Sequence, residues 1–274
     1  MNTLNDCATL LGRVREARPL VHHLTNYVTV NDCANVTLAV GASPIMANAI
    51  DEAGDIASIA SSVVLNIGTL NRDMLASMLA AGKRANDAGV PVVFDPVGAG
   101  ASALRNEATE TILGEVKIAV VRGNISEIRA AGGMASHTKG VDADAGDMTS
   151  DAVHIAASLA ARTGCIVAIT GKEDVVSDGG KTYLVANGNR MLSNISGTGC
   201  MCTSLVGAFA GAAPDELLRG AVGALLCMGI AGEIAFEKAG ATGIGSYRAA
   251  VMDAISLMDG ETLLERGIVR EAAH

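Results

Sequence analysis

The sequence is poor in aromatic residues. Its 274 residues include no Trp, three Tyr and three Phe, so that aromatic residues make up 2% of the chain. Gly occurs 32 times and half of the residues are hydrophobic, which is enough for a sizeable core. This composition favours close-packed helices and backbone-lined binding sites over aromatic stacking surfaces.

Basic residues are scarce as well. The chain has 20 Lys and Arg against 29 Asp and Glu, a net charge of −9. Nucleic acid is therefore excluded as the main partner, because a phosphate backbone needs a basic surface. A single nucleotide is not excluded, since backbone N–H groups and one or two local cations suffice to bind it.

The sequence lacks the cysteine spacing of a zinc site and the features of a secretory signal. No C-x-x-C pair occurs among the six cysteines, which are Cys7, Cys33, Cys165, Cys200, Cys202 and Cys227. The N-terminus has no charged segment followed by an apolar one, so we expect no secretory signal, reduced thiols and a cytoplasmic protein. The uncharged stretch 191–214 is rich in Gly, Ser and Thr, and we expect a buried loop and helix there instead of a membrane span.

Apolar runs of strand length alternate with helical patterns along most of the chain. The runs are 19–24, 62–68, 91–96, 117–123 and 165–170, and the helical patterns are 71–88, 102–114, 124–131, 149–162, 198–212, 215–238 and 242–259. These strands are apolar on both faces, as in a parallel sheet covered by helices. The pattern predicts one three-layer α/β/α domain, residues 1–274, with a mostly parallel central sheet. We also expect an edge hairpin at 173–187 and a mobile surface loop at 132–148.

Polar residues follow several of these strands. Asp95, Arg122 and Thr170 end three of them, and Glu127 lies in the first turn of the next helix. In parallel sheets ligands bind beyond the carboxyl ends of the strands. Taken singly, Asp95 fits an Asx-Pro turn, Arg122 a surface ion pair and Glu127 a helix N-terminal charge. Together they favour a site for Mg²⁺ and polyphosphate.

Two glycine motifs suggest phosphate binding. "GGKT" at 179–182 is excluded as a P-loop, because Val175 stands where the first glycine belongs. "GAGASA" at 98–103 fits a relaxed dinucleotide-binding pattern between a strand and a helix. The charge of Asp95 directly before it opposes a bare pyrophosphate, but a dinucleotide oxidoreductase remains an alternative.

The stretch "SGTGC" at 196–200 opens a long uncharged helix. Gly197 and Gly199 allow a backbone of positive φ, and we expect a helix to start there, so that the N–H groups of this turn converge at the helix N-terminus. Such a site stabilises charge on a transferred phosphoryl group. We expect the helix N-terminus to lower the pKa of the Cys200 thiol. The thiol could then accept a proton from an alcohol that attacks the phosphoryl group, or could serve only to shape the anion site; the sequence leaves both roles open. Cys202 is predicted to be a core residue.

Five segments together resemble the hydroxyethylthiazole kinase family of thiamin biosynthesis and salvage. They are "LVHHLTNYVTVNDCANVTLAVGASPIMA", "FDPVGAGAS", "VRGNISEI", "AITGKEDVVSDG" and "SGTGCMCTSLVGAF". The resemblance implies a ribokinase-like fold without a separate lid domain and a homotrimer with active sites between subunits. It also implies transfer of phosphate from ATP, with Mg²⁺, to the hydroxyl of 4-methyl-5-(2-hydroxyethyl)thiazole.

The resemblance also assigns roles to residues. Met46, Gly197 and Asn26 are implied to bind the substrate, and Arg122 and Thr170 to bind ATP. Asp95 and Glu127 are implied to bind Mg²⁺, and Gly197, Thr198, Gly199 and Cys200 to take part in catalysis. Cys200 stands where ribokinase relatives carry an Asp base. We interpret His22 and His23 as structural strand residues.

Three other functions are open from sequence alone. Another kinase of the same group could act on a pyrimidine or vitamin alcohol, but the N-terminal segment matches the thiazole enzymes. A dinucleotide oxidoreductase would bind NADPH in place of ATP. A nucleotide sensor would bind ATP without turnover. The set of site residues is so complete that an enzyme is the better explanation.

Overall fold

The computed structural model describes residues 3–134 and 145–272, with side chains for all of these except 145–147. The helices within these ranges are α1 Thr3–Ala17, α2 Val30–Val40, α3 Ile50–Ile59, α4 Arg72–Asp87, α5 Ala103–Glu115, α6 Ile125–Ala131, α7 Ala145–Thr163, α8 Thr198–Ala212, α9 Leu217–Ala239, α10 Ile244–Leu257 and α11 Gly260–Arg266, with a 3₁₀ helix at Arg190–Asn194. The strands are β1 Leu20–Leu24, β2 Ser43–Ile45, β3 Ser62–Asn66, β4 Val92–Asp95, β5 Val120–Asn124, β6 Ile166–Thr170, β7 Asp174–Ser177, β8 Thr182–Val185 and β9 Val269–Glu271.

One sheet contains all of these strands, in the order β2-β1-β3-β4-β5-β6-β7-β8-β9. From β2 to β6 the neighbours are parallel, whereas β7, β8 and β9 each run antiparallel to the strand before them. The chain order changes direction at β1, which has β2 on one side and β3 on the other. The carboxyl ends of β1 and β3 therefore flank a topological switch point, where α/β sheets bind ligands.

Apolar side chains form a core on each face of the sheet. On β3, Val63 and Leu65 join one core with Met78 of α4, and Val64 joins the other with Leu205 of α8. Every residue of β3 and β4 is buried, as expected for strands covered on both faces. The predicted three-layer α/β/α architecture with a mostly parallel sheet is confirmed.

The helices after residue 197 are core elements. Met201 to Ala210 of α8 are all buried, as the sequence predicts for this uncharged segment. A Cβ at Gly207 would lie 2.6 Å from Val64 Cγ2, so a glycine is needed where α8 crosses the sheet. By length and composition α9 could cross a membrane, but 72% of its apolar window is buried inside the protein.

Some elements differ from the prediction. The sequence patterns do not predict the short strands β2 and β9, or the helices α1, α2, α3 and α11. The hairpin of β7 and β8 is not at the sheet edge as predicted, because β9 pairs with β8 and covers it. In the predicted loop 132–148, residues 135–144 lie outside the described residues. The prediction is wrong for 145–148, which already belong to α7.

Candidate active site

Polar residues meet at one edge of the sheet. Asn66, Asp95, Arg122 and Thr170 lie in or next to the ends of β3, β4, β5 and β6, and Asn26 follows β1. These strands are parallel, so their carboxyl ends reach the same edge. The N-terminus of α8 lies against this edge, since its Cys200 and Thr203 contact side chains of the group.

Asp95 is at the centre of the group and is fully buried. Its Oδ2 accepts hydrogen bonds from Thr203 Oγ1 at 2.7 Å and from Asn66 Nδ2 at 2.8 Å, and lies 3.9 Å from Arg122 Nη1. Its Oδ1 is buried without a hydrogen-bond partner. Burial raises the pKa of Asp95 to about 6, although the Arg122 charge acts in the opposite direction.

Arg122 connects the sheet to α8. Its Nη2 donates to Thr170 Oγ1 at 2.6 Å, while Nη1 faces Asp95. A Cβ at Gly199 would lie 2.8 Å from Nη1, so the guanidinium packs directly on the backbone of the first turn of α8. Asp95, Arg122 and Thr170, predicted from their strand ends to lie together, are thus in contact in the fold.

Glu127 lies in the first turn of α6 and forms a capping box with the N-cap residue Asn124. Its Oε2 accepts from the backbone N–H of Asn124 at 2.8 Å, and Asn124 Oδ1 accepts from the backbone N–H of Glu127 at 2.9 Å. Its Oε1 accepts from the backbone N–H of Gly98 at 2.9 Å. The Glu127 charge also contributes to the raised pKa of Asp95. The two carboxylates therefore share a neighbourhood that a cation would stabilise.

The N-terminus of α8 is built on glycine. Gly197 is the N-cap with φ of 91°, and a Cβ there would lie 2.3 Å from Thr29 Cγ2. A glycine cap has no side chain, so the first N–H groups of α8 keep their capacity to bind an anion. Thr198 Oγ1 donates to the Leu192 carbonyl at 3.1 Å, which ties this turn to the preceding 3₁₀ helix.

The positive φ that both glycines allow is adopted at Gly197 and not at Gly199. Gly199 lies inside the first turn of α8 and is not among the residues of positive φ in the described chain. The turn from the loop into the helix is made at Gly197 alone. Gly199 is required for a different reason, the close approach of Arg122 to its backbone.

The Cys200 thiol lies between two asparagine amides. Its Sγ accepts hydrogen bonds from Asn26 Nδ2 at 3.2 Å and from Asn66 Nδ2 at 3.3 Å. The prediction of a lowered pKa is wrong: burial raises the pKa of Cys200, and the nearby Asp95 charge adds to the increase. The hydrogen bonds from Asn26 and Asn66 act in the opposite direction and do not outweigh these two effects. Cys202 is buried with its pKa raised to about 12 by burial, which confirms it as a core residue.

Asn26 and Asn66 join the first two strand ends of the site. Asn26 Nδ2 donates to Asn66 Oδ1 at 3.0 Å, across the switch point between β1 and β3. Asn26 Oδ1 accepts from the N–H and the hydroxyl of Thr29 at 3.1 and 3.0 Å. Sequence reasoning missed Asn66 and Thr203. Asn66 carries the same signal as Asp95, a polar residue that ends an apolar strand.

Met46 and the two histidines lie on the β1–β2 side of the sheet. Met46 follows β2 and is half-buried, next to Ala47, whose carbonyl accepts from His22 Nε2 at 2.6 Å. His23 is buried beside Thr37, with 3.2 Å between Nε2 and Oγ1. Burial lowers the pKa of both histidines, that of His23 to about 3, so both are neutral at physiological pH. A structural role agrees with this environment.

Solved structures of known proteins resemble this fold. The structure of a hydroxyethylthiazole kinase protein from Pyrococcus horikoshii OT3 matches with a TM-score of 0.89 and 38% identity, covering 98% of this chain and 99% of that one. A ribokinase-like superfamily protein from Enterococcus faecalis matches with a TM-score of 0.59 at 10% identity, over 86% of each chain. The second match concerns the fold alone and confirms the expected ribokinase-like architecture.

Sequence comparison gives the family. A hydroxyethylthiazole kinase from Ruminiclostridium cellulolyticum is 56% identical over 263 residues, which cover 96% of each chain. The model of the hydroxyethylthiazole kinase family matches residues 11–261. The chain belongs to the hydroxyethylthiazole kinase family.

Proposed function

We propose that this chain transfers the γ-phosphoryl group of ATP to the hydroxyl of 4-methyl-5-(2-hydroxyethyl)thiazole, giving the phosphate ester and ADP for thiamin biosynthesis or salvage. Family membership supports the substrate. The observation that carries the reaction type is the meeting of Asp95, Arg122 and the N-terminus of α8. Such an arrangement positions and neutralises a phosphoryl group, which is most of what this reaction requires.

The dinucleotide alternative is disfavoured by the geometry of the turn that suggested it. In "GAGASA" the N–H of Gly98 donates to Glu127 Oε1 and the N–H of Gly100 donates to Asn106 Oδ1, at 2.9 and 2.7 Å. A pyrophosphate needs such N–H groups unoccupied. This turn supports the fold around Glu127 and leaves the α8 N-terminus as the better anion site.

ATP would be held by Arg122 and Thr170, which already contact each other. The guanidinium can grip phosphate oxygens at two points, and its approach to Gly199 brings it beside the backbone N–H groups of α8. These N–H groups and the Arg122 charge would stabilise the charge that develops on the transferred phosphoryl group.

Asp95 and Glu127 would hold Mg²⁺. The fit is supported by Asp95 Oδ1, a buried carboxylate oxygen that has no partner, and by the mutual repulsion of the two charges. Both Glu127 oxygens accept backbone N–H groups, so a water-mediated contact suits Glu127. Magnesium usually takes one or two carboxylates, water and phosphate oxygens, and supplies positive charge to the phosphates in transfer.

The substrate alcohol would lie near Cys200, with Asn26, Gly197 and Met46 in the substrate pocket. Because its pKa is raised, the Cys200 thiol is protonated at neutral pH and does not act as a preformed thiolate base. In a loose transition state the alcohol loses its proton late, so a strong base is not required. The main contribution would come from Thr198 and Gly199 N–H groups at the anion site.

The assembly we propose is a cytoplasmic homotrimer with active sites between subunits. All six cysteines are free, in agreement with a reducing compartment. Directly after Asn26, Tyr27 is 78% exposed and Val28 is 60% exposed. Large apolar side chains so close to the site support a subunit contact there.

The proposed function is tested by ADP release coupled to a spectroscopic assay, with ATP and a panel of small alcohols. We expect turnover with hydroxyethylthiazole to exceed that with pyrimidine and vitamin alcohols by at least about 10²-fold in kcat/KM, as a site that hydrogen-bonds its substrate can discriminate. Asp95→Asn should lose most of this activity and keep its fold. Preferred turnover of another alcohol, or ATP binding without turnover, would replace this function by one of the alternatives.

A further inference from the structure

Thr203 is a buried residue of α8 with two acceptors for one hydroxyl proton. It lies one turn beyond Gly199 and is fully inaccessible to solvent. Its Oγ1 is 2.7 Å from Asp95 Oδ2 and 3.2 Å from the Gly199 carbonyl. An ionised carboxylate is a stronger acceptor than a carbonyl, so the Thr203 hydroxyl donates its hydrogen bond mainly to Asp95 when this residue is charged.

The two oxygens of Asp95 are in different environments. Oδ2 accepts from Thr203 on α8 and from Asn66 on β3, whereas Oδ1 has no partner. Two donors from separate elements fix both the position and the plane of the carboxylate. They also occupy one oxygen and leave Oδ1 as the oxygen available to a cation.

Helical threonines can bond back to the preceding turn for purely local reasons. Thr109 of α5 does so: it is buried, and its hydroxyl donates to the Arg105 carbonyl at 2.7 Å. In Thr203 the corresponding bond to Gly199 is longer, and the shorter bond goes to a strand residue 108 positions away in sequence. The two threonines are therefore a natural pair for comparison.

We infer that Thr203 is a positioning residue: its hydroxyl orients the Asp95 carboxylate for Mg²⁺ and fixes the distance between this carboxylate and the first turn of α8. The inference rests on the proposed phosphoryl transfer and adds a residue to it. The same side chain contacts both the carboxylate and the Gly199 carbonyl, so a change at Thr203 disturbs the metal carboxylate and its distance from the anion site together.

The test compares Thr203→Val, Thr203→Ser and the control Thr109→Val. Valine keeps the shape of threonine and removes the hydroxyl, and serine restores it. The control removes a buried helical hydroxyl whose hydrogen bond goes to a backbone carbonyl. For each folded variant, ADP affinity is measured by calorimetry with and without Mg²⁺, and the Mg²⁺ dependence of kcat is measured with the thiazole alcohol. If Thr203→Val does not fold, Thr203→Ala carries the comparison.

We expect Thr203→Val to weaken the Mg²⁺-dependent part of ADP binding by about 10–100-fold, the usual effect of removing an outer partner of a metal ligand. ADP affinity without metal should be unchanged, Thr203→Ser should lie within about threefold of the wild type, and Thr109→Val should match the wild type. The inference is overturned if Thr203→Val loses only thermal stability, if serine does not rescue, or if wild-type ADP binding is indifferent to Mg²⁺.

Failure of the proposed function is distinguishable from failure of this inference. The calorimetric experiment contains no alcohol substrate, so it reports on Thr203 and the metal even if hydroxyethylthiazole is not phosphorylated. Normal thiazole phosphorylation with a Thr203→Val enzyme of unchanged Mg²⁺ dependence would leave the function and remove the role of Thr203.

Discussion

At Gly199 the backbone of α8 and the Arg122 guanidinium leave no room for a side chain. A methyl group there would lie 2.8 Å from Nη1 and must displace the guanidinium. We expect Gly199→Ala to raise the KM for ATP by about tenfold or more, because Arg122 loses its position relative to the phosphates. The control is Gly114→Ala in α5, where the added methyl meets no atom within 4 Å and ATP kinetics should not change.

Cys200→Ser in the same assay separates the contribution of the thiol to catalysis from that of the anion site. Serine keeps a polar group between the two amides, so we expect reduced but measurable kcat, a loss of about 10²-fold or less. An inactive Cys200→Ser enzyme together with a normal Gly199→Ala enzyme would assign the chemistry to the cysteine. It would contradict the main contribution expected from the N–H groups at the N-terminus of α8.

Asp95 predicts a pH dependence. Burial raises its pKa to about 6, so the carboxyl group is neutral below that pH and loses the charge that holds a cation. We expect kcat/KM for ATP to fall about tenfold per pH unit as the pH drops below about 6, and to be insensitive to this group above it. The buried His23 does not account for such a change, since burial lowers its pKa to about 3.

The assignment of this titration rests on two variants. Asp95→Asn should show a pH profile without the acidic decrease, measured on its residual activity. Asp174→Asn removes another carboxyl whose pKa burial raises, to about 7, and should retain the decrease near pH 6. A decrease that persists in Asp95→Asn would show that another group titrates.

Single residues were predictable where one rule places them. Asp95, Arg122 and Thr170 follow apolar strands, and parallel strands bring their ends together, so their proximity follows from order and periodicity. Asn66 obeys the same rule and could have been found. Thr203 could not, because its partner lies on another element and its only signal is a polar residue in an apolar helix. The pKa of Cys200 depends on burial and on Asp95, neither of which helix position reveals.

Helix α8 begins at a residue that tolerates only glycine. Gly197 has φ of 91°, and a Cβ there would lie 2.3 Å from Thr29 Cγ2. We expect Gly197→Ala to lower the free energy of unfolding by more than the about 1–2 kcal/mol of left-handed backbone strain, because the contact with Thr29 adds to it. Urea unfolding measures the change, and kcat should fall with it.

The control for this helix start is Gly89→Ala, which has φ of 73° and no atom within 4 Å of the added methyl. It carries the backbone strain alone and should be the less destabilised variant. Thr29→Ser removes the methyl group in contact, so it should recover part of the loss in a double variant with Gly197→Ala. Equal destabilisation at both glycines would show that the Thr29 contact is unimportant.

Among the elements, length and burial decided what the sequence could predict. The strands from β3 to β6 are continuous apolar runs bounded by turn residues, and α8 coincides with its predicted range. The strands β2 and β9 have three residues each, too few for a period to appear. The sequence pattern predicts the hairpin at the sheet edge because it does not predict β9, which is distant in sequence.

At the scale of the whole molecule, the proposed trimer predicts that exposed apolar residues beside the site are covered. Val28→Glu should give a smaller particle by light scattering and lower activity, since a charge in a buried contact is costly and the site would lose its neighbour. The matched control is Met148→Glu. Met148 is 54% exposed and lies on α7, the helix that packs on β6 and β7. This variant should leave both properties unchanged. A monomeric and fully active wild type would refute the trimer.

The pairing of β9 with β8 has a consequence for the order in which the molecule is completed. The other strands within residues 3–134 and 145–272 all precede β9. The N–H groups of Ala186 and Ala272 also join the two segments, because they donate to the carbonyls of Ile268 and Thr182. Until residues 269–271 leave the ribosome, β8 is an open sheet edge, with Tyr183, Leu184 and Val185 ready to pair with another nascent chain. Strand β9 thus limits self-association during synthesis. A stop codon ahead of it would yield an aggregation-prone product even though Asp95, Arg122 and Cys200 are present.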